Sequence, residues 1–239
     1  MKAIILAAGR GSRMGNLTED IPKCLVKLQG KPLIEWQIDA LKKAGIEEIG
    51  IVTGYKRELL CGYSLKEFHN SRWASTQMVS SLECASEWLD TTPCIVSYSD
   101  IFYQPHAVSL LMESNSGIAI TYDPNWRTLW ENRFVNPLED AETFRLNEEN
   151  AVTEIGSKPK NIEEVEGQYM GLLYFTPSSW GELMDIRSKM PQNHADKMHM
   201  TNALQKIIDN GNFILKGIPY TKAWGEVDNA SDLAFYNEI

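Results

Sequence analysis

Within the first hundred residues, three short apolar runs alternate with two segments whose apolar residues recur at helical spacing, and this alternation restricts the fold more than any other feature. Lys2 to Leu6 reads as a buried strand that stops at a loop of small residues, Ala7-Ala8-Gly9-Arg10-Gly11-Ser12-Arg13. Pro32 suits a first helical turn; Ile34, Ile38 and Leu41 then fall on one helix face, and Gly45 stops the helix. Ile49 to Val52 reads as a second strand, Met78, Leu82, Ala85 and Leu89 as a second helix, and Cys94 to Ser97 as a third strand. Strands joined by single helices cross over with one hand, which gives a parallel sheet covered by helices on both faces. The expected class is therefore α/β, with a Rossmann-like, open, mostly parallel sheet.

The later half continues the theme, with a helix near His106 to Met112, strands at Ile118 to Tyr122 and Tyr169 to Phe175, and a helix at Ser178 to Met190. A last long helix, Thr201 to Asn210, is expected to open on a Thr cap and to end before Gly211. Residues 123–168 differ: the stretch is polar, holds Trp126, Trp130, Arg133, Asn136 and Pro137, and has no sustained period, so it reads as an insertion or lid over the site. No internal repeat, low-complexity tract or Gly/Ser linker interrupts the chain, and residues 1–239 are expected to form one domain.

Composition narrows the partners. With 43% hydrophobic and 23% charged residues, a chain of this length can bury a full core. The formal charge of −9 repels phosphate backbones, which argues against nucleic-acid and anionic-membrane partners and requires any phosphate ligand to find a local basic loop. No apolar run approaches the length of a membrane span. Cys24, Cys61, Cys84 and Cys94 form no C-x-x-C pair and no signal peptide precedes the first strand, so a cytoplasmic protein with free thiols is expected.

Gly9, Gly11 and Gly15 miss the dinucleotide fingerprint, whose third glycine would fall at Met14, and no G-K-[ST] of a P-loop is present. What remains is a strand feeding a loop with Arg10 and Arg13, whose guanidinium forks and backbone N–H groups can surround polyphosphate oxygens. The residue types also allow a plainer reading, a tight turn followed by a surface lysine. Leu6 to Arg13, written L-A-A-G-x-G-(S/T)-R, together with Pro22-Lys23-Cys24-Leu25, written P-K-x-L, resembles the opening signature of the sugar-phosphate and choline-phosphate nucleotidyltransferase family. The resemblance implies a nucleotide-diphospho-sugar transferase fold and transfer of a nucleoside monophosphate from an NTP to a phosphorylated small molecule, with Mg²⁺ as cofactor. It further implies that Leu6, Ala7, Ala8, Gly9, Gly11 and Ser12 bind the nucleotide, while Arg13 and Lys23 serve catalysis, Lys23 at the α-phosphate. A fixed ammonium group suits that role because attack on phosphorus spreads charge over equatorial oxygens.

Two acids follow apolar strands. Asp100 lies beyond the carboxyl end of Cys94 to Ser97, where open α/β sheets bind ligands, and Asp228 closes Trp224-Gly225-Glu226-Val227-Asp228 before a short helix at Ser231 to Phe235. The resemblance implies that Asp100 and Asp228 coordinate Mg²⁺, which takes few carboxylates and completes its shell with water and phosphate. Helix capping also explains an Asp at 228, and Glu226 ranks second as a ligand. The family normally writes Gly-Asp where this chain has Ser99-Asp100.

For the base, Gln77 and Ser81 are the candidates by position in the family, with helix capping by Ser75 or Thr76 as the alternative for this stretch. Thr153 to Pro159 resembles the family's E-x-K-P region, which makes Lys158 the candidate for the acceptor phosphate, and Tyr169 is placed beside the acceptor. The chain looks most similar to the compact CTP-dependent cytidylyltransferases of phosphocholine, phosphonates and phosphoglutamine. The Trp130 to Glu142 run nominates Trp130 and Arg133 for the acceptor's organic end, and Trp126, Trp130 and Tyr169 could form a cage around a quaternary ammonium. The expected partners are CTP and a small phosphorylated acceptor, with a homo-oligomer left open. A sugar-1-phosphate nucleotidyltransferase using UTP, dTTP or GTP, or a nucleotide-binding module without catalysis, are the competing readings.

Overall fold

The computed structural model describes residues 1–238. Its central sheet has seven strands in the order Leu215–Pro219, Ile118–Asp123, Gln168–Phe175, Cys94–Tyr98, Lys2–Ala7, Ile49–Thr53, Lys66–His69. Every neighbouring pair is parallel except the two that involve Gln168–Phe175, which runs antiparallel to both of its partners. The α/β expectation thus holds, with one reversed strand inside the sheet.

Alternation along Lys2–Ala7 explains why the sheet is covered on both faces. Ala3, Ile5 and Ala7 join one core with Ile34, Ile38 and Leu41 of helix Leu33–Lys43, while Ile4 and Leu6 join another with Val79, Leu82 and Trp88. A strand buried on both sides reads as an unbroken apolar run, as this one does.

The remaining differences from the sequence reading have local causes. The second helix divides into Met78–Glu83 and Ser86–Leu89, because Ala85 leaves helical geometry (φ −98°, ψ 17°) and Trp88 turns onto Phe68 at 5.2 Å. Strand Lys66–His69 buries only Phe68 and is too polar to show a period, and Leu215–Pro219 contains Gly217 and Pro219, residues that strands tolerate at a sheet edge. Pro32 is the N-cap of its helix rather than a first-turn residue. The last long helix is Met200–Asn210; His199 precedes it without a side-chain cap and Thr201 lies inside the first turn, whereas the Gly211 stop is present at φ +74°. A side-chain cap does occur at Thr176, which exchanges hydrogen bonds with Ser179 at the start of Pro177–Ser188.

Residues 123–168 are folded rather than loosely draped. Helix Trp126–Arg133 is followed by an antiparallel pair, Phe144–Leu146 with Val152–Ile155. Trp126 and Trp130 are buried in the core (3% and 0% exposed), and the Trp126 indole N–H donates to the Val165 carbonyl at 3.0 Å.

Candidate active site

The site begins where Lys2–Ala7 ends. Gly11 sits in the left-handed region (φ +73°), and a Cβ there would fall 2.8 Å from Cβ of Lys23, so only glycine lets the loop lie against the Lys23 stem. Thr18 Oγ1 donates to the Gly11 carbonyl at 2.8 Å and holds the loop's far side. The Lys23 side chain is 8% exposed, and its Nζ donates to Asp100 Oδ2 at 2.7 Å and to Asp228 Oδ1 at 2.5 Å. Arg13 Nη2 reaches the same Asp228 oxygen at 2.8 Å from a largely exposed side chain.

A two-stranded ladder brings the distant acids together. Ile101–Tyr103 pairs antiparallel with Trp224–Glu226, Glu226 opposite Ile101, and the Val227 N–H donates to the Asp100 carbonyl at 2.9 Å. Gly225 permits the ladder because a Cβ would meet the rings of Tyr236 and Phe102 at 2.4 and 2.6 Å. Carboxylate oxygens of Asp100, Glu226 and Asp228 then lie within 4.8 Å of one another. Asp100 Oδ1 is buried with no hydrogen-bond partner among the described residues. Three convergent carboxylates, one with an unused buried oxygen, make a donor set suited to a hard divalent cation such as Mg²⁺.

Electrostatics separate the members of this cluster. Burial alone would lower the Lys23 pKa, but Asp100, Asp228 and Glu226 outweigh it and hold the ammonium charged. Burial would likewise raise Asp228, yet Lys23 and Arg13 draw it below the usual carboxylate range. For Glu226, burial and then the charges of Asp228 and Asp100 outweigh the opposing charges of Lys23 and Arg133 and push it well above the ordinary glutamate value.

Two cavities meet at the cluster. The first, about 280 Å³, lies between Leu6, Ala8, Gly9, Gly11, Ser12, Arg13 and Lys23 on one side and Trp73, Thr76, Gln77 and Ser81 on the other, with Asp100 among its lining residues. The second, about 320 Å³, shares Arg13, Met78 and Tyr98 with the first and is lined further by Asp140, Glu142, Gln168, Tyr169, Thr201, Glu226 and Asp228. Gly171 (φ +77°) makes room between them, since a Cβ there would sit 2.7 Å from Cδ2 of Tyr98. The arrangement is that of two ligand chambers facing one set of charged groups.

Residues 3–154 match the MobA-like NTP transferase domain. The chain belongs to that family. It is 37% identical to the CTP:phosphoglutamine cytidylyltransferase of Campylobacter jejuni over 98% of both chains. Among solved structures, it is similar to the inositol-1-phosphate CTP transferase of T. maritima (TM-score 0.78, 20% identity, 98% of this chain and 93% of that one). It is also similar to the CTP:phosphocholine cytidylyltransferase of Streptococcus pneumoniae (TM-score 0.74, 22% identity, 99% and 97%). These two likenesses show a shared fold; the family membership makes the protein a nucleotidyltransferase.

Set in this NTP transferase, the residues singled out from sequence take up distinct places. Lys23, Arg13, Asp100 and Asp228 come together, and Leu6, Ala8, Gly9, Gly11, Ser12, Gln77 and Ser81 line the first cavity. Ser81 Oγ accepts from Asn70 Nδ2 at 3.0 Å, which leaves its own proton for a ligand. Tyr169 lines the second cavity, edge-on to Tyr98 at 5.7 Å, with a buried hydroxyl that has no partner among the described residues. Ala7 belongs to a different environment, for its methyl group points into the core on the opposite sheet face.

Two acceptor candidates, Trp130 and Arg133, are corrected. Trp130 is wholly buried against Trp126 and Trp224, so neither it nor Trp126 can line an ammonium cage. The Arg133 side chain is also inaccessible, held by Asp232 through two hydrogen bonds of 2.9 and 3.0 Å. Lys158 is not among the residues that line either cavity; its exposed Nζ donates to the carbonyls of Leu138 and Glu139, and its charge acts on Glu142, which does line the second cavity. Asp140, Glu142, Tyr98 and Asn70 were not singled out from the sequence. Asn70 carries a faint local signal, an amide just after a strand and before a turn, whereas the others acquire meaning only from tertiary neighbours.

Proposed function

We propose that this chain is a Mg²⁺-dependent cytidylyltransferase that moves CMP from CTP to a small phosphorylated acceptor bearing an amine, with phosphoglutamine the first candidate, and releases pyrophosphate. The observation that carries this reading is the 37% identity to the phosphoglutamine enzyme along 98% of both chains. The four free cysteines suit a reducing, cytoplasmic setting.

In this account the first cavity takes the nucleotide, with the Gly9 to Arg13 loop on its phosphates and Gln77 and Ser81 toward the base. The second takes the acceptor. An acceptor phosphate oxygen attacks the α-phosphorus in line, the new O–P bond forming as the bond to the pyrophosphate oxygen breaks, and the leaving pyrophosphate carries the electron pair. Lys23 and Arg13 hold positive charge at the equatorial oxygens where it is needed most. Asp100 and Asp228, with Glu226 beside them, would hold Mg²⁺, which when bound neutralises phosphate charge and orients the leaving group. Of the four histidines, only His199 lines either cavity among the described residues, and the acceptor is already an anion, so transfer is direct.

The acceptor's class follows from charge. Asp140 and Glu142 face the second cavity, and both are pushed above the usual carboxylate range by burial and then by a neighbouring carboxylate. A cationic amine relieves that crowding, whereas a hexose ring would instead demand many matched hydroxyl partners. A steady-state panel of CTP, UTP, dTTP and GTP against phosphoglutamine, phosphocholine, 2-aminoethylphosphonate and glucose 1-phosphate separates the readings. CTP with an amine-bearing acceptor should give the highest kcat/KM; UTP, dTTP or GTP with glucose 1-phosphate as the best pair would favour the sugar-nucleotide alternative.

A further inference from the structure

Helix Trp126–Arg133 aligns Trp126, Trp130 and Arg133 on one face, and that face backs the segment carrying Glu226 and Asp228. Trp130 packs on Trp224 with ring centroids 6.2 Å apart, and the Trp224 indole N–H donates to Asp123 Oδ2 at 2.9 Å. The far end of the helix is tied more specifically. Arg133 donates through Nε and Nη2 to both oxygens of Asp232, and Asp232 Oδ2 also accepts the backbone N–H groups of Asp228 (2.9 Å) and Asn229 (3.2 Å).

The Arg133 and Asp232 side chains are 0% and 2% exposed, so this ion pair is dry. A dry pair is a poor source of stability, because the loss of two hydration shells roughly cancels the attraction, and apolar residues could fill the same space. Its geometry does something packing alone would not: a bidentate fork fixes one carboxylate, and that carboxylate fixes the main chain at Asp228. Arg133 also lies close enough to Glu226 for its charge to oppose the upward shift of that carboxyl.

We infer that Arg133 is a positioning residue which, through Asp232, sets the direction of the Asp228 carboxylate toward Lys23, Arg13 and the divalent cation. The chain's polar insertion is thereby a buttress of the metal-binding acids. This inference rests on the reading of Asp228 as a metal ligand.

The test uses the full-length protein and Mn²⁺ as the probe, titrated in the presence of CTP without acceptor and followed by water-proton relaxation. Arg133→Ala and Asp232→Asn should each weaken Mn²⁺ binding by roughly tenfold or more, as loss of a group that orients a metal ligand does. Ethylguanidinium should restore binding to Arg133→Ala and ethylammonium should not, a selectivity that mere loss of stability would not show. Asp232→Asn keeps an oxygen for the Asp228 N–H and the side-chain shape, so it reports on the pair even where Arg133→Ala folds poorly. In turnover, kcat should fall with little change in the KM for CTP. Asp228→Asn is the control. If it abolishes Mn²⁺ binding while Arg133→Ala and Asp232→Asn bind as wild type does, the positioning role is overturned and the metal reading stands. If Asp228→Asn itself binds Mn²⁺ normally, the metal reading fails and takes the positioning role with it.

Discussion

Lys23 Nζ donates to Asp228 Oδ1 across 2.5 Å, joining residues 205 positions apart at the edge shared by the two cavities. The contact sets the charge balance of the site, since the same ammonium also meets Asp100. Replacing Lys23 by Ala should therefore lower kcat/KM by roughly 100-fold or more. Far-UV circular dichroism should stay that of the folded protein. A rate near wild type would remove Lys23 from the mechanism.

Gly11 and Gly9 should respond differently to an added methyl group. Gly11→Ala places a side chain in the left-handed region and against Lys23, and the conformational term alone should cost about 1–2 kcal/mol. Nothing lies within 4 Å of a Cβ at Gly9, and its φ is not in that region, so Gly9→Ala should leave the urea midpoint nearly unchanged while weakening nucleotide binding. Equal losses of stability in the two variants would contradict this loop geometry.

The raised carboxyl of Glu226 predicts a pH signature in metal-free protein. Its folded pKa exceeds the unfolded value of 4.5, so its contribution to stability is full below pH 4.5 and is lost as the pH rises through the folded value. Glu226→Gln should then raise Tm relative to wild type in the alkaline range, and the gain should vanish on acidification toward pH 4.5. Thermal melts across pH, with EDTA present, measure this. A gain that grows toward acid would reverse the assignment.

Trp130→Ala should act on folding rather than on the acceptor. Removing a wholly buried indole from beside Trp126 and Trp224 costs about 3–5 kcal/mol. Lys158→Ala, at an exposed side chain outside both cavities, should leave the acceptor KM nearly unaltered. A large rise in acceptor KM for Lys158→Ala, with Tm unchanged, would show that this side chain reaches the acceptor during turnover.

The sequence carried the parts of the site that are local. The Leu6 to Arg13 loop and Asp100 each follow an apolar strand within a few residues, so periodicity exposes them, whereas Lys23 was legible only through its place in the family's P-K-x-L motif. Asp228 was legible through motif position, but its meeting with Asp100 depends on the Ile101–Tyr103 and Trp224–Glu226 ladder, whose three-residue strands have too few turns of alternation to show a period. The acceptor chamber was less accessible still, because Asp140 and Glu142 of one connecting segment meet Tyr98 of a distant strand only once the fold assembles them. One signal was present and outweighed: Trp126, Trp130 and Arg133 are spaced as one helix face, and the polar residues between them concealed it.

Product analysis decides whether this chain transfers CMP. With CTP labelled at the α-phosphate, phosphoglutamine and Mg²⁺, the label should pass into a product whose ³¹P spectrum shows two phosphorus atoms coupled through a P–O–P linkage. One pyrophosphate should appear for each CTP consumed. Label that remains in CTP or appears only as CMP across the amine-bearing acceptors, while UTP and glucose 1-phosphate yield a sugar nucleotide, would contradict the account.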